Sequence, residues 1–384
     1  MKKLIIILLS LLFIAVTIGK AQTPQPIYSF AKVLYPISWY KEQQKLWKAE
    51  IDKNQKNATA WYHYFRATRT IGKLDENDKR TQEEKEKALA DIVAQMGKAI
   101  PNSAEYHHAE WIVNGFKDMG KLYHLQKAEE LDPNNPFIFS DLINVAEMER
   151  DTNRLYTLSK HWFATGDPSP GFLNYNYNVM AGLKENAILI TVGDNDTYPA
   201  WILQGAQNFR KDVTVINTSL ILVKEYRDKL FKELGVAPIT YDPFENYERF
   251  EKELVSLLAS NTKNRPVYVA LTAHKSLIEP HQQNLYLTGL AYQYSITPID
   301  NMAALKKNFE QNYALDYLDK TFVADISAGL VKNLNKNYTV PMLKLYQHYI
   351  LAGESQEAEQ IKGLAFKIVE NTPHEKEVKN YFKK

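Results

Sequence analysis

The chain contains no cysteine. That absence excludes a disulfide framework, thiol chemistry and a lipid anchor on an N-terminal Cys. No charge of one sign prevails. The 384 residues carry a net charge of +2 spread along the chain, with no basic stripe of the kind nucleic acid requires. Also missing are a Gly-rich phosphate loop, a Gly-x-Ser-x-Gly nucleophile elbow and a His-Glu-x-x-His metal pair. Beyond residue 18 no apolar run is long enough to span a bilayer.

What is present begins at the N-terminus. Met1-Lys2-Lys3 is a short basic region, and Leu4 to Ile18 is apolar except for Ser10 and Thr17. Gly19-Lys20-Ala21 then places small residues at −3 and −1 of a cut before Gln22. This three-part form predicts a cleaved signal peptide over residues 1–21 and a mature chain, not a lipoprotein, that is periplasmic or secreted. An uncleaved anchor is the alternative, but the run is shorter than the roughly 20 residues a spanning helix needs. The length suggests two or three domains with cores large enough to dispense with cross-links. The 24 Tyr and 6 Trp fit helical layers packed on large rings, or a sugar-binding surface.

From about Ser38 to Met180, apolar residues recur at three- and four-residue spacing and predict helices. Trp39, Trp47 and Ile51 form one stripe, and Trp61, Tyr62 and Phe65 another. Asp75 to Lys87 reads as a charged connector or helix face, and Ala88 to Ile100 as an amphipathic helix. Lys127-Ala128-Glu129-Glu130-Leu131-Asp132-Pro133-Asn134-Asn135-Pro136 resembles the junction between tetratricopeptide repeats, where proline stops one helix ahead of the next. Weaker copies lie at Lys48–Ala60 and Lys98–Glu105, at no uniform period. Near Leu183 the texture changes. Runs 187–192, 212–217 and 265–271 are apolar and β-prone and alternate with helical stretches, including Lys224 to Leu234 closed by Gly235. That alternation predicts a parallel sheet with crossover helices, and a short strand is expected at 296–299. Helices return from Ala304, ending in a hairpin of Met342–Ala352, with Leu345, Tyr349 and Leu351 as its apolar face, and Gln356–Glu370.

In a parallel sheet the loops at the carboxyl ends of the strands line the ligand crevice. The first strand runs into Gly193-Asp194-Asn195-Asp196-Thr197-Tyr198-Pro199, the second into Asn217-Thr218-Ser219, and the third into Thr272-Ala273-His274-Lys275. The candidate ligand-binding residues are therefore Gly193, Asp194, Asn195, Asp196, Thr197, Asn217, Ser219, His274 and Lys275. Asp194 and Asp196 flank one residue, a spacing that would let two carboxylates share a hard divalent cation, as in the Asp-x-Asp element of nucleotide-sugar transferases. His274 is then the one candidate general base. The competing expectation is structural: Asp196 or Thr197 caps a helix, Pro199 sits in its first turn, Asp194 or Asn195 closes an Asx-turn, and Gly193 permits a tight turn. His274, Glu279 and His281 are of metal-ligand or acid–base type, but their spacing matches no standard zinc site, Pro280 argues against a single helical face, and a polar loop is the expectation. The adjacent His107 and His108 point different ways on a helix, cannot form a paired site and read as ordinary residues. The aromatic run Trp61 to Phe65 is best explained as repeat core, and Phe172 to Tyr177 as a domain interface.

Glu185 to Pro199 as a whole resembles the soluble C-terminal region of a large Bacteroidota membrane-protein family of unknown function, related to protein O-mannosyltransferases. That region reads N-A-[IL]-L-x-x-x-G-D-N-D-T-[FY]-P-x-W. The likeness continues at Trp201, Leu203 and Gln204, at Asp212 to Leu220, at Arg265 to Tyr268 and at Leu287 to Tyr292. It implies an accessory domain and a periplasmic address, without transferase chemistry, which belongs to a multi-spanning membrane domain. The expected fold class is α and α/β: tetratricopeptide-like helical repeats flanking a small Rossmann-like parallel-sheet domain. The expected layout is signal peptide 1–21, helical repeats 22–182, α/β domain 183–303 and C-terminal hairpins 304–384. The expected function is a non-enzymatic binding or scaffold module of the envelope, tied to glycan or surface-protein assembly. Its partners would be envelope proteins or a glycan, not nucleic acid. No cofactor is implied, apart from a divalent cation on Asp194 and Asp196 in the alternative, a metal-dependent sugar-processing or glycosyl-transfer enzyme.

Overall fold

The computed structural model describes residues 23–115, 118–262 and 265–382, so the expected signal peptide lies outside the described residues. Among the described residues two compact units are present: those up to Tyr28 with those of Tyr35–Ala128, and Ser29–Leu34 with those from Glu129 onward. The described chain is mostly helical, with one small mixed sheet of five strands. Among the described residues no helix is long and apolar enough to cross a membrane.

The first unit holds α1 (Ile37–Lys53), α2 (Ala58–Leu74), α3 (Gln82–Ala99), α4 (Ala104–Asn114) and most of α5 (Leu122–Leu131). Its helix starts are written in the sequence. Asn57 accepts the Ala60 N–H at 3.1 Å, and Ser103 accepts that of Tyr106 at 3.1 Å. Thr81 and Glu84 form a capping box, each side chain accepting the other's backbone N–H. The helix expected from Ala88 thus begins at Gln82, so Gln82 to Lys87 of the charged stretch form its first turns and Asp75 to Thr81 the connector before it. Tyr40, Trp47, Ile51, Trp61, Phe65, Ile92 and Met96 are buried together in the core. Trp61 and Phe65 are therefore not free to stack on a sugar. His63 is buried among them, and its Nδ1 accepts the Ile27 N–H at 3.1 Å. Burial, reinforced by the Arg66 charge, lowers its pKa to about 4.

The second unit continues with α6 (Phe139–Glu149), α7 (Thr152–Ala164) and α8 (Pro170–Ala181). Then come β1 (Ile188–Thr191), α9 (Asp194–Gln207), β2 (Thr214–Asn217), α10 (Lys224–Leu234), α11 (Tyr247–Asn261) and β3 (Val267–Ala270). The short α12 (Lys275–Ile278), β4 (Leu285–Leu287) and β5 (Ala291–Tyr294) follow. The sheet order is β2-β1-β3-β5-β4. The first three strands are parallel, as expected. The other two add an antiparallel hairpin that the sequence reading did not foresee. The strand expected at 296–299 is absent, and Ile296 is 79% exposed.

One sheet face carries Ile188, Ile190, Ile216, Val267 and Val269, packed on Tyr226, Leu230, Leu254 and Leu258 of α10 and α11. α9 covers the other face. Every residue of β1 and β3 is buried, which explains their unbroken apolar sequences. α7 approaches α9 so closely at Gly205 that a Cβ there would lie 2.8 Å from the Tyr156 carbonyl oxygen. A buried carboxylate joins α6 to α10: Glu147 accepts from Tyr226 Oη at 2.7 Å and from Arg150, which also binds Glu233. Burial is the largest influence on Glu147 and holds its pKa up at about 7.

The chain ends with α13 (Asn301–Lys307), α14 (Ala328–Asn335), α15 (Thr339–Ala352), α16 (Ser355–Val369) and α17 (Glu375–Tyr381). The α15–α16 hairpin was expected, with Leu345 and Tyr349 buried. Leu351 is not part of that core, being 89% exposed.

Candidate functional site

The chain passes from β1 through α9 to β2 on one side, then crosses β1 to reach β3 on the other. The loops after β1 and β3 therefore diverge at a topological switch point, the usual position of a ligand crevice in an open α/β sheet. In this chain the crevice is bridged by its own side chains. Thr272, two residues past β3, donates its hydroxyl to Asp196 Oδ2. The same carboxylate accepts the N–H groups of Val192 at 3.0 Å and Gly193 at 2.7 Å. Asp196 is 4% exposed. Its burial raises its pKa above the usual carboxylate value, and the donors on its two oxygens oppose that rise.

A second cluster lies beside it. Thr191 and Asn217 are register partners at the ends of β1 and β2, so both side chains stand on the face that α9 covers. Thr197 reaches both. Asn217 Nδ2 donates to Thr197 Oγ1 at 3.0 Å, and the two threonine hydroxyls lie 2.7 Å apart. Thr191 donates on to the Ile216 carbonyl at 3.3 Å. One ordering satisfies every group, with Asn217 donating to Thr197, Thr197 to Thr191 and Thr191 to the strand. Asn217 Oδ1 accepts the N–H groups of Ser219 and Leu220, which shapes the turn after β2. At the far end of α9, Gln204 Nε2 donates to the carbonyls of Val213 at 2.7 Å and Arg210 at 2.9 Å, tying the helix to the entry of β2.

The helix starts earlier than the sequence predicts. Gly193 is the N-cap, Asp194 the first helical residue and Asp196 the third, so Pro199 is the sixth residue, outside the first turn. A proline there has no N–H for the Asn195 carbonyl four residues back. Asn176 of α8 replaces the missing donor, its Nδ2 lying 2.8 Å from that oxygen. Asn195 Nδ2 in turn donates to the Ala31 carbonyl at 2.9 Å. Gly193 has φ −117°, open to any residue, and an added Cβ would meet only Asp196 Oδ1 at 3.7 Å. No tight turn demands glycine at that position.

Because Asp194 and Asp196 both lie on the helix, their i, i+2 spacing turns them to different sides. Asp194 is exposed, whereas both oxygens of Asp196 already accept hydrogen bonds. The two carboxylates do not converge on one point. Asp194 instead acts on Tyr198, whose phenol is raised well above its ordinary pKa by burial first and by the Asp194 charge second. Tyr198 Oη also accepts from Asn144 at 2.7 Å. Among the described residues no group of three or more His, Asp or Glu side chains is arranged to hold a metal ion.

The remaining candidates separate by exposure. Ser219, His274 and Lys275 are at the surface. His274 precedes α12, with its Nδ1 3.5 Å from Glu251 Oε1. His281 is buried and turned away, its Nε2 2.9 Å from the Lys252 carbonyl oxygen. The structure therefore joins Asp196, Thr197, Asn217 and Gly193 with Thr191, Thr272 and Asn176. It leaves Asp194, Ser219, His274 and Lys275 on the outer edge. Asn176 was missed as a site residue, although its helical phase carried a signal. Asn174 and Asn178 are four apart and both reach the Ala314 carbonyl, while Asn176, two from each, faces the other way toward α9.

A comparison with curated proteins finds no match. Residues 173–238, from α8 through β1, α9 and β2 to the end of α10, are similar to the family described as TMEM260-associated domain 2.

Proposed function

We propose that this chain is a non-enzymatic binding and scaffold module of a bacterial envelope, in which tetratricopeptide-like helix pairs and a Rossmann-like α/β domain present docking faces to envelope proteins or a glycan. The observation that carries this reading is where the polar atoms go at the carboxyl edge of the sheet. Asp196, Thr197, Asn217 and Thr272 are hydrogen-bonded to one another or to nearby backbone, so the position that would hold a substrate is a rigid internal brace. A catalytic carboxylate needs a free lone pair aimed at the reacting group. The helix pairs α1/α2, α3/α4, α6/α7 and α15/α16 supply the repeat-like surface. The β2-β1-β3 order supports the Rossmann-like assignment. The similarity over residues 173–238, with the Gly193–Pro199 motif, supports a Bacteroidota accessory domain related to protein O-mannosyltransferase families, and the first 21 residues support export to the periplasm or beyond.

The test is thermal unfolding of the mature chain with and without Mn²⁺, Mg²⁺ and Ca²⁺, beside Asp194→Asn and Asp196→Asn. Binding to the native state must raise the midpoint with metal concentration. The expected outcome is no metal-dependent rise. Asp194→Asn should stay close to wild type, and Asp196→Asn should lose roughly 2 kcal/mol by presenting an amide to backbone donors. A metal-dependent rise abolished by both variants would replace this reading with a metal-dependent sugar-processing enzyme.

A further inference from the structure

The first unit contains a pair of histidines unrelated to the sheet edge. His107 on α4 and His124 on α5 face each other with their Nδ1 atoms 2.8 Å apart. His108, next in sequence, turns the other way to Tyr62 Oη at 2.6 Å. We propose that His107 and His124 form a binding site for a borderline divalent transition-metal ion such as Zn²⁺ or Ni²⁺, coordinated through both Nδ1 atoms and completed by water.

Three observations support it. First, the two rings come from different helices and meet nitrogen to nitrogen, which is the arrangement two imidazoles adopt around a shared electrophile. In the metal-free state that electrophile is a proton, and one ring must be the Nδ1–H tautomer while the other accepts. Tetrahedral ligation at about 2.0–2.1 Å sets the nitrogens roughly 3.3 Å apart, so admitting the metal requires an opening of about 0.5 Å. The ring that carried its proton on Nδ1 passes it to Nε2, so a neutral pair releases no net proton. Second, the ring centroids lie 4.9 Å apart with 42° between their planes, so each Nδ1 is directed at the other ring edge to edge and the rings do not stack. Third, Glu110, three residues from His107 on the same helix, is close enough to act electrostatically on both rings and supplies negative charge for a dication. Its Oε1 also accepts from Asn114 Nδ2 at 3.0 Å and faces Lys121 Nζ at 3.7 Å. The opposing charges are Lys121, which acts on His124, and Lys127, which acts on His107. Tyr106 and Tyr123 flank the rings at 5.1 and 4.1 Å between centroids.

The experiment titrates the full mature chain with Ni²⁺ and Zn²⁺, with Mg²⁺ as a hard-cation control, and reads the unfolding midpoint. His107→Gln, His124→Gln and the exposed His374→Gln are run alongside. Ni²⁺ and Zn²⁺ should raise the midpoint by several degrees in the wild type and in His374→Gln, Mg²⁺ should not, and both pair variants should lose the rise. An unchanged rise in the pair variants, or none in the wild type, overturns the site. Should a pair variant fail to fold, Co²⁺ added to the wild type decides alone. One equivalent should give a visible nitrogen-ligand absorption that disappears at pH 5, and its absence also overturns the site.

Discussion

Proline at the sixth position of α9 removes one donor, and the carbonyl it leaves, that of Asn195, is met by Asn176 Nδ2 at 2.8 Å. Two residues 23 positions apart in the chain thus share one hydrogen-bonding obligation (199 − 176 = 23). Asn176→Ala should cost about 1–3 kcal/mol, because it strands a carbonyl inside the protein. Pro199→Ala supplies a backbone N–H in place of the missing one, so in that background Asn176→Ala should cost less, by at least about 0.5 kcal/mol. Denaturant unfolding of the two single variants and the double variant measures the difference. Strictly additive costs would show that the two residues act separately. The brace around Asp196 follows the same logic in part: Val192, Gly193 and Thr191 are local partners, but Thr272 and Asn217, which close it, lie just past β3 and on β2.

Among the elements, α3 is the clearest case of a start signal in plain view. Thr81→Ala removes the acceptor for the Glu84 N–H and should destabilise the first unit by about 1 kcal/mol. An unchanged unfolding midpoint would mean that the helix is held by its packing alone. Much else was legible. The strands β1, β2 and β3 fall inside the expected apolar runs because both sheet faces are covered, and α10 spans the residues expected for it. The antiparallel hairpin was not read, although Leu285 to Leu287 and Ala291 to Tyr294 surround Gly289 at hairpin spacing. Its Tyr and Gln residues are only partly apolar, which blurs a period of two. The sequence predicts Pro199 in a first turn because that is the commonest helical position of proline, and the donor on α8 that permits a later one leaves no local mark. The edge residues were identified from topology, but Thr272 became the partner of Asp196 only once the folded strands brought them together.

At the scale of the whole molecule, pH should act on the two units in opposite senses. His63 has its folded pKa lowered to about 4 against 6.5, so between these values the unfolded chain takes up a proton the native first unit refuses. Stability there falls by roughly 3 kcal/mol as pH drops through that window. Glu147 in the second unit has its folded pKa raised to about 7 against 4.5, so the native state holds the extra proton and stability falls as pH rises from 4.5 to 7. His281, lowered by burial, opposes that trend, and Glu147→Gln isolates the contribution of the carboxyl. Segment-resolved hydrogen exchange, corrected for intrinsic rates, should show the first unit protecting less at pH 5 than at pH 7. In the second unit Glu147→Gln should reduce the loss of protection between pH 5 and pH 7. Parallel responses of both units and an inert variant would refute the assignment. The sheet order has a practical consequence for anyone trimming this chain. β1 is paired on both sides, yet the segment similar to a known family, 173–238, contains β2 and omits β3. A fragment cut to that segment would bare an apolar strand edge at Ile188, Leu189 and Ile190, a ready template for another copy's β1. The segment similar to that family is therefore smaller than the unit that leaves neither edge of β1 bare.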